Sequence, residues 1–431
     1  MKRSEKHAPT RRAVLVGTGA AGAALALGAG GAAAAAPASG GRGWQAAVDA
    51  ETARLEPELL ALRRDLHRHP ETAGQERYTA RAVARQLRAA GLAVTTGVGG
   101  HGVVGVLRGA LPGRTVAYRA DMDAVPPGGV VGGGTEPAHV CGHDIHTTVG
   151  VGIARVLARL RRRLCGTVVF LFQPAEEALT GAAAMLDEGV LARTGAAEVH
   201  ALHCGPFPVG QFAVTPGYGL PGQDRAEIAL SGPDAPAAAK RLAAEIGGLA
   251  TVRPPETAEA MEQLVADVQT PGGPLARFVV AFPKVEESVV RVSSRCWPQE
   301  RYTEVRREIR RLAATHAGAR VRFPSEPSPA MVCPEDDGLA LSRHLRGALG
   351  RSAVTRLHAA FPFNGEDFAL FLQRVPGTYT FLGVRPPGTS VLDSMPHYPG
   401  FTPDEGAIAH GVRGMTGWLA ERARGGRNSM P

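Results

Sequence analysis

Residues 141–146, Cys141-Gly142-His143-Asp144-Ile145-His146, set a thiol, two imidazoles and a carboxylate side by side. The Cys-x-His spacing is short enough for one loop to aim both side chains at one ion. A thiolate with an imidazole suits a borderline transition metal such as zinc better than magnesium or calcium. The same six residues also read as a buried cysteine beside surface histidines. A second group stands at Glu176-Glu177, just after the apolar run at 167–172. Adjacent carboxylates at the end of a buried strand are costly unless a positive charge compensates them. They read either as a solvated loop pair or as a divided pair, one binding metal while the other takes a proton from water activated there. His203 and His397 add two imidazoles, each of which also fits a hydrogen-bonded structural histidine. Asp121 and Asp123 either orient ligands from behind or belong to a strand-end turn.

These groups need elements to position them. Residues 51–69 and 76–90 read as amphipathic helices. Apolar β-branched runs at 115–119, 167–172 and 199–202 then alternate with helical stretches. That alternation predicts an α/β fold, a mostly parallel sheet covered on both faces by helices. Ligands in such sheets sit beyond the carboxyl ends of the strands, and the polar clusters at 121–123, 173–177 and 203 are expected there. The pattern changes after residue 222. A strand at 226–231, a helix at 236–246, strands at 277–282 and 288–295, a charged helix at 301–316 and a strand at 320–323 give a βαββαβ order, a small ferredoxin-like α+β unit. Its middle, the glycine- and proline-rich stretch 253–274, is left unassigned. The expected domains are therefore a catalytic part at 44–221, an inserted lid at 222–326, and the rest of the catalytic part at 327–424.

Several motifs in order carry a resemblance. They are Arg64-Asp65-Leu66-His67-Arg68-His69-Pro70-Glu71, Arg119-Ala120-Asp121-Met122-Asp123-Ala124-Val125-Pro126, Cys141-Gly142-His143-Asp144-Ile145-His146, Phe172-Gln173-Pro174-Ala175-Glu176-Glu177, Gly365-Glu366-Asp367-Phe368 and the late His397. The set resembles the aminoacylase/carboxypeptidase metallopeptidase family, in its amidohydrolase branch with hippurate and auxin-conjugate hydrolases. The resemblance implies a di-zinc-exopeptidase-like fold and two divalent ions, zinc or manganese, per chain. It places Cys141, His143, Glu177, His203 and His397 at the metal-ligand positions, with Cys141 bridging, and Glu176 at the general-base position. It implies an N-acyl amino acid or small peptide substrate with a free carboxylate, and allows a homodimer through the inserted domain. A metal-bound binding protein without catalysis is the alternative, which the intact Glu176 disfavours.

The inserted domain departs from the family pattern. The segment after its first strand, Ser231-Gly232-Pro233-Asp234-Ala235-Pro236, lacks the usual histidine, and only Ser293-Ser294-Arg295 is similar to the family's Gly-Thr-x-Arg. Arg295 is thus a candidate for holding a substrate carboxylate or oxyanion, since a guanidinium matches a carboxylate bidentately. A surface ion pair is the other reading of that arginine.

Composition bounds the rest. The 431 residues are 44% hydrophobic and 20% charged, a globular profile long enough for two domains. The net charge of +8 is half accounted for by residues 1–39, with five basic residues against one glutamate, and aromatics are only 5%. No clustered basic face with stacking aromatics points to nucleic acid. Arg11-Arg12, an uncharged Ala/Gly/Leu stretch and Pro37-Ala38-Ser39 read as a twin-arginine-type export signal at 1–39. Its removal would leave a protein without a membrane segment. Five cysteines are an odd number, so at least one is free or metal-bound.

Overall fold

The structure is a computed structural model and describes residues 40–129 and 133–425. The leader read at 1–39 lies outside the described residues. The chain opens with α1 (Gly40–His67) and α2 (Arg77–Ala89), then enters a hairpin, β1 (Ala93–Val98) and β2 (Gly102–Arg108), and the long β3 (Leu111–Asp121). Next come α3 (His143–Arg159), β4 (Cys165–Gln173), the short helices α4 (Gly181–Asp187) and α5 (Val190–Thr194), and β5 (Val199–Pro208). Two short strands, β6 (Phe212–Val214) and β7 (Gly219–Leu220), lead to the inserted unit: β8 (Asp224–Ala229), α6 (Ala235–Gly247), α7 (Ala258–Val268), β9 (Phe278–Glu286), β10 (Val289–Trp297), α8 (Tyr302–Ala314) and β11 (Arg320–Arg322). The chain returns through β12 (Met331–Val332), α9 (Glu335–Leu349), β13 (Val354–Arg356), α10 (Ala369–Leu372) and β14 (Gly377–Arg385), and closes with α11 (Ala407–Arg424).

The main sheet has eight strands in the order β1-β2-β4-β3-β5-β14-β6-β13. Its centre, β4-β3-β5-β14, is parallel, and antiparallel pairs join β1, β2 and β6 to it. The expected α/β fold is thus present, with antiparallel edges that the sequence reading did not contain. Alternation along the strands loads both faces. Val116, Tyr118 and Ala120 of β3 join Val168, Phe170 and Phe172 of β4 in one core with α1, α2, α3 and α11. Ala117, Val169 and Leu171 point the other way, into a second core with α4, α7 and α10. A strand buried on both faces is apolar wherever its side chains are not paired, which is why these runs lack polar alternation. Helix α3 is buried from His143 to Thr148 and nearly throughout thereafter, since it lies between the sheet, α2 and α11.

The inserted unit is a four-stranded antiparallel sheet, β11-β8-β10-β9, with α6 and α8 on one face over Ala226, Ile228, Val279, Val290 and Val292. That is the βαββαβ order expected from the sequence. One helix differs. In α7, Met261, Leu264, Val265 and Val268 form a stripe at i, i+3, i+4 and i+7, and they pack in the second core of the main body. This stripe fills the stretch left unassigned at 253–274. No helix among the described residues is long and apolar enough to cross a membrane. All five cysteines are unpaired.

Candidate metal and hydrolytic centre

The sheet opens a cleft where β3 ends. Its last pairing with β5 is Arg119 with Ala201, so β5 continues alone past this point on that side while keeping its ladder to β14. His203 therefore lies two residues beyond the neighbouring ladder, in the middle of β5. The expectation that β5 stops before His203 is corrected: pairing with β14 carries the strand on to Pro208.

Around that opening the structure gathers Cys141, His143, Glu176, Glu177, His203 and His397. Donor atoms of Cys141, His143 and Glu177 lie within 4.8 Å of one another. Nε2 of His397 is 3.3 Å from Glu177 Oε1, and Nε2 of His143 is 4.0 Å from the same oxygen and 3.8 Å from Glu176 Oε2. The His203 ring stands edge-on to His143 at 5.6 Å.

Two histidines are locked in the tautomer that a metal ligand needs. His143 Nδ1 lies 3.0 Å from the Asp123 carbonyl, and His203 Nδ1 lies 2.8 Å from the Cys204 carbonyl. A carbonyl only accepts, so each Nδ1 carries a proton, which leaves Nε2 as the nitrogen that can turn to an ion. The Nε2 of His143 and the Oε1 of Glu177 are buried with no hydrogen-bond partner among the described residues. Such orphaned donors and acceptors are expensive unless an ion occupies the space between them. His146, the third imidazole, is excluded. Its Nε2 accepts the Cys204 N–H at 2.8 Å, and burial, followed by His203 and His143, keeps it neutral far below its ordinary range.

Asp123 works from behind the centre. It faces His143 Nδ1 with Oδ1 at 3.2 Å, and its Oδ2 accepts the Glu177 N–H at 2.9 Å, so one carboxylate orients two candidate ligands. Asp121 is used differently. It accepts from Arg119 Nη1 at 2.6 Å within a buried network in which Arg119 also binds Glu366 and Asp367 at 2.9 and 3.0 Å and Gln173 at 2.8 Å. Tyr379 closes the network by donating to Glu366 at 3.0 Å. Arg119 and Glu366 stood in the quoted motifs without roles. The signal was a lone arginine inside an apolar strand, which must be paired to be buried. Asp144 turns away from the centre, accepts from His67 at 2.8 Å and forms an ion pair with Arg63 at 3.0 Å, so His67 of the first motif and the adjacent Arg63 clamp α1 against α3.

The loop bearing the two glutamates is strained and tied down. Ala175 and Leu179 have φ of 53° and 56°, and His397 has φ of 68°. These are three of the four non-glycine residues with positive φ among the described residues, and such conformations persist only where their surroundings enforce them. Buried Glu76 is one enforcer, accepting the Ala175 N–H at 2.8 Å. Gly142 also requires positive φ, 86°, and a Cβ there would meet Cys204 Sγ at 2.7 Å.

The surroundings separate the two glutamates. Burial raises Glu176 well above the carboxylate range, and the nearby Glu366, Glu177, Asp121 and Asp367 push the same way. Burial would raise Glu177 too, but His397, then His143 and His203, outweigh it and hold it at about 2. The surroundings make Glu176 the stronger proton acceptor and keep Glu177 an anion, a division that suits acid–base chemistry beside a cation. His203 is lowered to about 4 by burial and then by His143, so it is neutral at neutral pH.

The centre forms one wall of a cavity of about 510 Å³. Glu176, Glu177, His203 and His397 line one side, and Arg225, Phe282 and Arg295 of the inserted sheet line the other. Arg295 makes no ion pair among the described residues, and its Nε is buried without a partner. The reading of Arg295 as a surface ion pair is thereby overturned. No histidine occupies 231–236 at the start of α6, in keeping with the sequence.

Comparison with known proteins agrees with this layout. The model of Peptidase family M20/M25/M40 matches residues 117–421. A probable hydrolase of Synechocystis sp. is 33% identical over 381 residues, covering 83% of this chain and 94% of that protein. An N-acetylcysteine deacetylase of Bacillus subtilis is 32% identical, covering 81% and 93%. Among solved structures, the Bacillus subtilis YXEP protein, a dinuclear metal binding peptidase from the M20 family, superposes with a TM-score of 0.64 at 28% identity, covering 86% of this chain and 99% of that one.

Proposed function

The chain belongs to peptidase family M20/M25/M40 and is a metal-dependent amidohydrolase, and from that premise we propose that it is exported and cleaves the amide bond of N-acyl amino acids bearing a free carboxylate. The observation that carries the reading is the pairing of opposite walls in one cavity: a buried donor set around a glutamate of raised proton affinity on one side, an unpaired guanidinium on the other.

Cys141, His143, Glu177, His203 and His397 would hold two divalent ions, a number supported by the dinuclear relative. A single thiolate among imidazoles and a carboxylate favours zinc over manganese. When bound, such ions polarise the scissile carbonyl and make water acidic enough to react near neutral pH. Glu176, starting as the carboxylate, takes a proton from the attacking water as its oxygen adds to the carbonyl carbon, and its surroundings make it a strong proton acceptor. The same carboxyl then passes that proton to the amide nitrogen as the C–N bond breaks, leaving a free acid and a free amine. Glu366 and Asp367, themselves held by Arg119, lie beside Glu176 and raise its affinity for that proton. Arg295 receives the substrate's free carboxylate and so sets which carbonyl reaches the centre.

The full chain, purified without chelator, is expected to contain between one and two zinc or manganese ions by elemental analysis. It is expected to hydrolyse members of a panel of N-acetyl- and N-benzoyl-amino acids. Fully metallated protein inert on the whole panel would refute the hydrolytic reading. Export through the leader is tested separately by Arg11→Lys with Arg12→Lys, expected to retain folded protein inside the cell; unimpaired export would refute the twin-arginine assignment.

A further inference from the structure

The wall of the cavity opposite the metal centre carries two arginines, and that is one more than a single carboxylate requires. Arg225 pairs in register with Ser293, and Arg295 follows two residues along the same strand. Alternation therefore puts both guanidiniums on the face of the inserted sheet opposite α6 and α8, with a backbone separation of about 7–8 Å for such a diagonal pair. Both line the same cavity.

Neighbouring arginines on this unit find carboxylates. Arg291 pairs with Glu227 and Glu286, Arg306 with Asp224 and Glu326, and Arg277 with Glu304. Exposed Arg225 and partly buried Arg295 have no ion pair among the described residues. None of the cavity's own acids pairs with them: Glu176 faces His143, Glu177 faces His397 and Glu366 is bound by Arg119. Arg295 is stripped of water to the point that burial, opposed by Tyr302 and aided by Arg225, lowers it to about 10. Two like charges facing one cavity without counter-charge are stabilised by an anion that brings both negative charges at once.

Resting on the reading of this cavity as an N-acyl amino acid site, we propose that the substrate is an N-acylated dicarboxylic amino acid of the aspartate or glutamate class, its two carboxylates held by Arg295 and Arg225. One guanidinium satisfies one carboxylate through two parallel N–H···O bonds, so a substrate with a neutral side chain leaves Arg225 without a partner. The acyl group then extends along the apolar lining of Leu220, Met261, Phe361 and Phe363.

The test compares isosteric pairs on the metal-loaded full chain: N-acetyl-L-glutamate against N-acetyl-L-glutamine, and N-acetyl-L-aspartate against N-acetyl-L-asparagine. The dicarboxylates are expected to have kcat/KM about 10- to 100-fold higher, the range of one charge-assisted hydrogen-bonded pair. Most of the difference should appear in KM. Arg225→Gln should bring the ratio close to one, and Arg225→Lys, which keeps the charge but loses the fork, should retain part of it. Equal rates on acid and amide would overturn the proposal while leaving the hydrolytic reading intact. An acid preference that survives Arg225→Gln would overturn the role of Arg225. Inertness of the metallated chain towards all four compounds and the wider N-acyl panel would overturn the reading beneath it as well.

Discussion

Replacing Glu176 and Glu177 one at a time by glutamine separates two jobs that the sequence places side by side. Glu176 is almost fully buried, within 3.8 Å of His143, and in a field of four other carboxylates that disfavours its charged form. Glutamine keeps its shape but cannot accept a proton. Loss of a positioned general base costs about 10²–10⁴ in kcat, or about 3–5 kcal/mol of barrier. The metal content of Glu176→Gln should be unchanged, because the donor set nearest His397 does not include it. Its folded state should be at least as stable as wild type, because the substitution removes a carboxyl whose charged form its neighbours oppose. Glu177→Gln should behave in the reverse way. Its carboxylate is held anionic by His397, His143 and His203, so a neutral amide weakens both the imidazole contacts and the ion binding. Metal content and activity should then fall together. Elemental analysis, thermal unfolding and hydrolysis kinetics on the same preparations read all three quantities. A Glu176→Gln enzyme as fast as wild type, or one that loses its metal, would refute the division of labour.

Two further outcomes follow from particular contacts. Gly142→Ala should lower both the unfolding temperature and the metal content, since a left-handed alanine costs about 1–2 kcal/mol and its Cβ would displace Cys204 between the two ligands; wild-type values for both would show that the loop relaxes freely. Glu198 should mark acid stability. Burial would raise it, but His200 and Arg422 outweigh burial and hold it at about 2, against 4.5 ordinarily. A depressed carboxyl stabilises the fold above the ordinary value and loses that contribution as the pH falls. Between pH 6 and 2, wild type should lose roughly 3 kcal/mol more than Glu198→Gln in urea unfolding; parallel curves would refute it.

The central strands were legible because burial on both faces leaves a continuous apolar run, as at 167–172, and because a charged pair at its end stands out. Cys141 and His143 stood out by their close spacing, while the full ligand set with Glu177, His203 and His397 came from the order of motifs that carries the family resemblance. The hairpin at 93–108 was not read, since its edge strand alternates weakly and faces solvent on several positions. Helix α7 was hidden by flanking proline and glycine, although its stripe of Met261, Leu264, Val265 and Val268 is regular. No local pattern could exclude His146 as a ligand, because the amide that occupies it belongs to Cys204, 58 residues away. Nor could the sequence pair Arg119 with Glu366, or set Arg225 beside Arg295 across from the metal side. Residue types are local and reveal which chemistry is available. Which lone pair stays free, which carboxyl keeps its proton and which guanidinium lacks a partner depend on fields and distances between segments far apart in the chain, and only the folded packing of those segments decides them.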